Sequence, residues 1–561
     1  MSEIRFAKVA VLLATDDEYS PWLKEAIEHS GLVVEFIQEN DLEALLGFQT
    51  LILAGNGTLP TNRQVQVSDW MDRVRGSLVC TGGTWGLDKV LGLEARPDLP
   101  RYSRMMMVNS DTSDRIWNEG TEAVQFIGGT RCVPREATVL AKTPQGEPLI
   151  TRRERAYYFG PNIGQTMALI MMGRAVANDM IGPGDGTVCM ENGKLQAEDG
   201  TNLRFAEDRE KPEGCPTPVF LRPHVDYLRD IWMRVVVEAI ESAGVTPVIL
   251  WHLPNNANSA IAFSVDADNL STDYVRKIAT GLAKYGLPAA WMVPPPGYSQ
   301  DMYRAFKKWD HETALLYTTD GETMGEDHMK MQNLTIGRGA GLPGVVSVRT
   351  NEGHWHGLTK FYEIAELAGA KLSLSKGGRQ PGTSGFLFGT SHIFFPIRRN
   401  GKAFNVAELP YQVFRPGSST PDSAVPGLIQ QVAHVHGCLH VAQTASGAAE
   451  SKFEVSLQQT LMAARSARMF NISPQDLYHY ERTRRHVRVK IGNDGLSLIA
   501  DQDLRGLTVM IGGTEILAET GGRRSEPIPV RRYGTFFSAV VTDLEAKTHV
   551  EVRFKPGAMA A

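Results

Sequence analysis

Several side chains able to do chemistry fall between residues 260 and 400. Asp266-Ala-Asp268 closes the apolar run Ala260-Ile-Ala-Phe-Ser-Val. Two carboxylates this close repel unless a metal or a proton shares them, so the pair fits either a catalytic site or an Asx turn leading into a helix near Ser271. Ala314 to Tyr317 is a second apolar run, followed by Asp320-Gly-Glu322. Val345 to Val348 is a third, followed by Arg349-Thr-Asn-Glu352-Gly-His354-Trp-His356. On a strand, His354 and His356 would share one face. Imidazoles with a distant carboxylate make an acceptable set for zinc or a similar ion. His392 stands in Gly385-Phe-Leu-Phe-Gly-Thr-Ser-His-Ile-Phe-Phe-Pro, and His434, His436 and His440 form a further group read as packing or solvent-facing.

Cys80 is a separate candidate. A cysteine at a strand end followed by Thr-Gly-Gly has the outline of a nucleophile elbow. An activated thiolate needs a base, and there is no histidine between His29 and His224. A buried, unreactive thiol is the expectation.

These residues need strands to carry them. Residues 6 to 180 alternate short strands (Phe6 to Leu13, Leu32 to Ile37, Leu45 to Ala54, Ser77 to Cys80) with helices (Tyr19 to Ser30, Thr61 to Arg75), the pattern of a parallel α/β sheet. Residues 181 to 216 read as a Gly- and acid-rich linker, and 223 to 243 as a connecting helix. A second α/β region runs from Ala260 to about residue 470. Short strands with Gly-rich turns between some of them then give a small antiparallel β domain over 486 to 556.

The chain has 561 residues, with 58 basic and 63 acidic side chains and a net charge of −5, which excludes a nucleic-acid binder acting through bulk charge. With 42% hydrophobic and 22% charged residues it reads as globular. Its five cysteines include no CxxC, so neither a disulfide framework nor a cysteine zinc site is expected. No apolar run reaches the ~18 residues of a membrane span, and the first ten residues lack the pattern of a leader. A cytoplasmic multidomain enzyme is the expectation.

Two family resemblances follow. Ser77-Leu-Val-Cys-Thr-Gly-Gly-Thr-Trp-Gly-Leu-Asp-Lys and Tyr158-Phe-Gly-Pro-Asn-Ile-Gly-Gln-Thr are similar to amidotransferase-like domains that lost catalysis, such as the trimerisation domain of some β-galactosidases. Phe263-Ser-Val-Asp-Ala-Asp, His311-Glu-Thr-Ala-Leu-Leu-Tyr, Val346-Ser-Val-Arg349 with Trp355 and Gly357, Gly385-Phe-Leu-Phe-Gly-Thr and Glu408-Leu-Pro resemble the polysaccharide deacetylases. The second resemblance implies a distorted (β/α) barrel and metal-dependent hydrolysis of an N-acetyl group. It matches Asp266 to the base, Asp268 to the metal aspartate and Arg349 to the arginine that orients the base. The sequence departs from that family where histidines belong: Leu316 and Asp320 stand at the metal positions, and Gln443 and Thr444 near the position of the acid.

The resulting expectation is an α/β multidomain protein. Residues 1–180 form a flavodoxin- or amidotransferase-like parallel sheet, 181–257 a linker and connecting helix, 258–475 the deacetylase-like barrel, and 484–558 an antiparallel β-sandwich. The expected function is hydrolysis of an amide or ester bond in a carbohydrate or related polar small molecule. Asp266, Arg349, Glu352, His354 and His392 are its catalytic candidates. Asp268, Asp320 and His356 are the candidate ligands of a divalent metal, with no organic cofactor, no nucleic acid and no membrane. A homo-oligomer built through the N-terminal domain is expected. The competing expectation is a non-catalytic carbohydrate-binding or scaffold protein, with Trp355, Phe386, Phe388, Phe394 and Phe395 near its cleft.

Overall fold

Short apolar runs flanked by glycine and polar turns become strands here, and the amphipathic segments between them become helices, as their periodicity dictates. The computed structural model describes residues 7–96, 103–107, 113–116, 124–176, 201–268, 271–319, 324–355, 357–444, 450–492, 495–512, 517–520 and 526–555. Asp320, Glu322 and His356 lie outside them. The chain is a mixed α/β protein of two compact units: one holds residues Met1–Ala168, Tyr227–Asn256 and Tyr480–Ala561, the other Leu169–Asp226 and Ala257–His479. Among the described residues no helix is long and apolar enough to cross a membrane.

The first unit begins with parallel strands Glu35–Ile37, Val9–Leu13, Thr50–Ala54, Ser77–Thr81 and Ala156–Phe159, in that order across the sheet. The purely parallel sheet of the sequence reading is only its first half. Antiparallel strands Pro148–Arg153, Thr138–Lys142, Ser103–Met107 and Val124–Phe126 extend it. Cys80 sits fully buried within the strand Ser77–Thr81. Burial pushes its thiol well above the ordinary range, with Asp88 adding to the shift, so it is inert as a nucleophile at neutral pH.

The C-terminal residues form two antiparallel four-stranded sheets. The strand Val248–Leu250, from the segment read as a connector, is an edge of one of them and pairs with Leu504–Gly512. Leu496, Leu498, Leu507, Val509 and Val552 of the two sheets share one apolar core with Val248 and Leu250. Val33 donates to the Val248 carbonyl at 3.0 Å and Leu250 to the Gly31 carbonyl at 2.8 Å, so this segment ties N-terminal residues and the C-terminal sheets into one unit.

A buried charge cluster closes the end of the helix Ser20–Ser30. Gly31 ends that helix at φ 72°, and a Cβ there would meet the Leu250 carbonyl at 1.8 Å. Arg484 donates to the carbonyls of His29 at 2.9 Å and Leu250 at 3.0 Å. Glu481 accepts from Arg484, from Arg485 Nε at 2.6 Å and from His29 Nδ1 at 2.9 Å.

The second unit is built on a nine-stranded sheet, parallel throughout and curled into a partial barrel. Its strands run in the order Ala407–Glu408, Leu372–Ser373, Ser347–Thr350, Glu312–Tyr317, Ala289–Val293, Ala260–Asp266, Cys438–Thr444 and Val413–Phe414. Phe470–Asn471 also pairs with Ala260–Asp266. The residues of Ala260–Asp266, Ala289–Val293, Glu312–Tyr317 and Ser347–Thr350 are buried on both faces, as parallel strands under helices must be.

Glu312, at the entry of its strand, is buried and accepts from the Gln475 amide at 3.1 Å. Burial pushes its carboxyl up to about 7, against the pull of Ser347. A folded-state value raised above the ordinary 4.5 favours folding below that pH, and the favour is lost as pH rises through 7. Glu312→Gln should therefore raise the melting temperature at pH 8 and leave it nearly unchanged at pH 4.5. An equal gain at both pH values would refute the titration as the cause.

Candidate active site

Parallel strands present their C-terminal ends on one side of the sheet, where side chains from different strands converge. Asp266 is the last residue of its strand and lies opposite Met292 and Thr444 of its two neighbours. Arg349, opposite Leu316, comes from a strand three places away. The structure joins them: Arg349 Nη1 donates to Asp266 Oδ1 at 2.7 Å, with side chains 1% and 4% exposed. Arg349 Nε donates to the Leu374 carbonyl at 2.8 Å, and Nη2 donates to Ser264 Oγ. Ser264 is two residues before Asp266, so strand geometry sets both on the inner face.

His440 completes this chain of bonds. Its Nε2 is 2.7 Å from Ser264 Oγ and its Nδ1 is 3.1 Å from the Leu409 carbonyl. A carbonyl only accepts, so Nδ1 carries the proton and Nε2 accepts from the Ser264 hydroxyl, which in turn accepts from Arg349. Burial, reinforced by the Arg349 charge, pushes the imidazole down to about 3. It is neutral at any working pH. The sequence reading left His440 among packing or solvent-facing histidines; its register opposite Ala262 brings it under the Asp266–Arg349 pair.

Aromatic and cationic groups surround the pair. Arg349 stands 5.4 Å from the Tyr411 ring centre, and the Tyr411 hydroxyl donates to the Gly377 carbonyl at 3.1 Å. Gly377 is needed here, because a Cβ would sit 2.3 Å from that ring. Phe414 lies beside Tyr411, with ring centres 5.6 Å apart. Arg379 and Arg415 face the Phe414 ring at 4.6 and 5.2 Å. Glu408, buried at its strand end, accepts from the Ser375 and Lys376 amides and from the Tyr362 hydroxyl. Burial raises its carboxyl, which suits a group clamping two strand ends rather than one facing solvent.

The other expected site residues divide by position. Asp268 is half-buried just past Asp266, on a turn pinned by the Tyr298 hydroxyl, which donates to the Ala267 carbonyl at 2.9 Å. Ser271, not Asp268, caps the following helix Thr272–Lys284 by accepting from the Tyr274 amide. Glu352 and His354 follow the Arg349 strand, at the Asp266 end of the sheet. Glu352 is exposed with φ 52°, and His354 is half-buried in a turn rather than on a strand. His392 does not join them. Its Nε2 lies 3.0 Å from the Val435 carbonyl, and the Ser391 carbonyl accepts from Cys438 at the start of the strand Cys438–Thr444. That strand reaches Asp266 only at Thr444, about 20 Å further on.

Trp355, Phe386, Phe388, Phe394 and Phe395 are all buried. Trp355 packs on Phe361 and Tyr362 at 4.8 and 5.5 Å. They build core rather than a sugar platform. Among the described residues of the second unit, no three carboxylate, imidazole or thiol groups come within ligand reach of one another.

No protein-family model matches the chain, and no curated protein matches it in sequence. Solved structures similar to it include that of Agd3, titled a novel carbohydrate deacetylase, at 8% identity and a TM-score of 0.43, covering 99% of both chains. A mutant of BA3943, titled a CE4 family pseudoenzyme with restored enzymatic activity, is similar at 13% identity and a TM-score of 0.27, over 40% of this chain and 68% of that one. A β-galactosidase from the psychrophilic Marinomonas ef1 is similar at 13% identity and a TM-score of 0.25, over 45% of this chain and 34% of that one.

Proposed function

We propose that the protein is a hydrolase of an amide or ester bond, deacetylase-like, acting on a carbohydrate or related polar molecule at the strand ends around Asp266. The observation that carries this reading is the buried Asp266–Arg349 pair at the C-terminal side of a parallel sheet. Arg349 donates to Oδ1 and so fixes the carboxylate's orientation. In this reading Oδ2 takes a proton from water, whose oxygen attacks the acyl carbon. The bond from that carbon to nitrogen or oxygen then breaks, and the leaving atom takes a proton from His354. Arg349 and the neutral Ser264–His440 chain hold Asp266 in place throughout. A divalent metal would be held by Asp268, Asp320 and His356, and would polarise the acyl oxygen.

The test is release of acetate from acetylated oligosaccharides by the purified chain, with and without added zinc. Release that stays at the uncatalysed rate under both conditions would leave the binding-protein alternative standing.

The finer division into domains belongs to the same reading. Residues 1–180 serve as a non-catalytic amidotransferase-like domain, and the two C-terminal sheets over 484–558 stack as a sandwich. Cytoplasmic residence is part of it, supported by the free, buried Cys80, Cys132, Cys215 and Cys438. The inert Cys80 leaves the N-terminal domain without a thiol reaction, and a dimer or trimer built through it is expected. Light scattering at micromolar protein should give at least twice the monomer mass; the monomer mass alone would sink this expectation.

A further inference from the structure

We infer that Arg379 and Arg415 form an anion-binding subsite beside the Asp266–Arg349 pair, which takes a carboxylate, sulfate or phosphate group carried by the carbohydrate. That the anion belongs to the substrate rests on the hydrolase reading; the subsite itself is a matter of binding.

The geometry comes from two separate stretches of chain. Arg379 follows the strand Leu372–Ser373, and Arg415 follows Val413–Phe414, whose Arg415 amide donates to the Ala442 carbonyl at 3.0 Å. Both therefore emerge on the side of the sheet where Asp266 lies. Their guanidinium carbons stand over one ring, that of Phe414, so two positive charges are neighbours. Like charges brought together at a partly buried site cost free energy that an anion between or beside them recovers. The Arg415 side chain registers this cost: burial first, then the Arg379 charge, lower its affinity for its proton, while Asp266 and Tyr411 oppose the shift. The same interactions place Arg415 within electrostatic reach of Asp266.

The backbone is committed to the arrangement. Arg415 adopts φ 46°, a left-handed conformation that is strained for a residue carrying a side chain. Tyr411 forms one wall, held by its hydroxyl's bond to the Gly377 carbonyl at 3.1 Å. Both arginines are partly solvent-exposed, so a ligand can reach them. Planar guanidinium donors match carboxylate, sulfate and phosphate oxygens in pairs. Phe414 forms the base over which both arginines stand, with Tyr411 beside it.

The experiment is calorimetric titration of the full-length protein with D-glucuronate, glucose 6-sulfate and glucose 6-phosphate, with glucose as the neutral probe. At least one anionic sugar should bind ~10- to 100-fold tighter than glucose, and the preference should shrink with added salt. The three anionic arms tell carboxylate from sulfate and phosphate. Arg379→Gln and Arg415→Gln should each remove most of the preference, with melting unchanged or raised by relief of the like charges. Arg379→Lys should restore part of it, which a merely structural role would not do. Asp266→Asn should keep or increase it. Equal affinity for glucose and all three anions would overturn the subsite, as would a preference that survives both glutamine variants. If the anion preference holds while no acetylated sugar is hydrolysed, the subsite stands and the hydrolase reading falls. If hydrolysis is found without any anion preference, the reverse is true.

Discussion

Asp266→Asn is expected to lower turnover of an acetylated carbohydrate by about 10³-fold, the scale of losing a general base. Asparagine keeps Oδ1 as an acceptor for Arg349 but cannot take a proton from water. From sequence alone the same substitution would be expected to leave melting nearly unchanged. The structure revises that half. Arg349 is 1% exposed and Asp266 is its carboxylate partner, so the variant leaves a buried cation with its charge uncompensated. The melting temperature should fall as well, by less than for alanine because one hydrogen bond survives. Arg349→Lys gives an independent check. It retains the charge, loses the forked contacts to Ser264 and Leu374, and should depress turnover with a smaller loss of stability. A folded Asp266→Asn protein with undiminished turnover would remove Asp266 from the reaction.

Glu481→Gln should cost about 3–5 kcal/mol of stability at pH 7, the range for breaking a buried ion pair. Glu481 is fully buried between Arg484, Arg485 and His29. Burial by itself would raise its carboxyl, but the two arginines and the histidine together hold it well below the ordinary 4.5. A depressed value contributes stability that is present above the unfolded-state pKa and lost as pH falls below 4.5. The wild-type advantage should therefore be full at pH 7 and shrink in acid. Arg485 keeps Glu25 as a partner at 2.9 Å in the variant, whereas Arg484 keeps only carbonyls. Denaturant unfolding of the two proteins at pH 7 and pH 4 reads this directly. A difference under about 0.5 kcal/mol at pH 7 would show that the cluster is not a source of stability.

What local sequence determined is the set of strands and the residues at their ends. Ala260-Ile-Ala-Phe-Ser-Val-Asp is an apolar run with a carboxylate at its close, and it forms the strand Ala260–Asp266 with Asp266 at the tip. Arg349 follows Val345 to Val348 and falls in the strand Ser347–Thr350. Cys80, without a histidine near it in sequence, is an inert buried thiol. The alternation of strand and helix implied parallel strands, and the second unit has them throughout its sheet.

The neighbours of each strand were decided only by the tertiary structure. Periodicity acts over a few residues, whereas pairing depends on packing between segments far apart in the chain. Cys438–Thr444 lies next to Ala260–Asp266, and that register alone brings His440 to Ser264. The same pairing sends His392 to the opposite end of the sheet, although its aromatic, Gly-rich surroundings read like those of a site. Arg379 and Arg415 carry no local signal, since exposed arginines in loops are ordinary; only the Phe414 ring unites them. Glu481, Arg484 and Arg485 have the i, i+3 and i, i+4 spacing of a solvated helix face. They are buried because Glu25, His29 and the Leu250 carbonyl, more than 200 residues away in sequence, satisfy their charges and donors. Burial of charge is a property of partners, and partners are assigned by the fold.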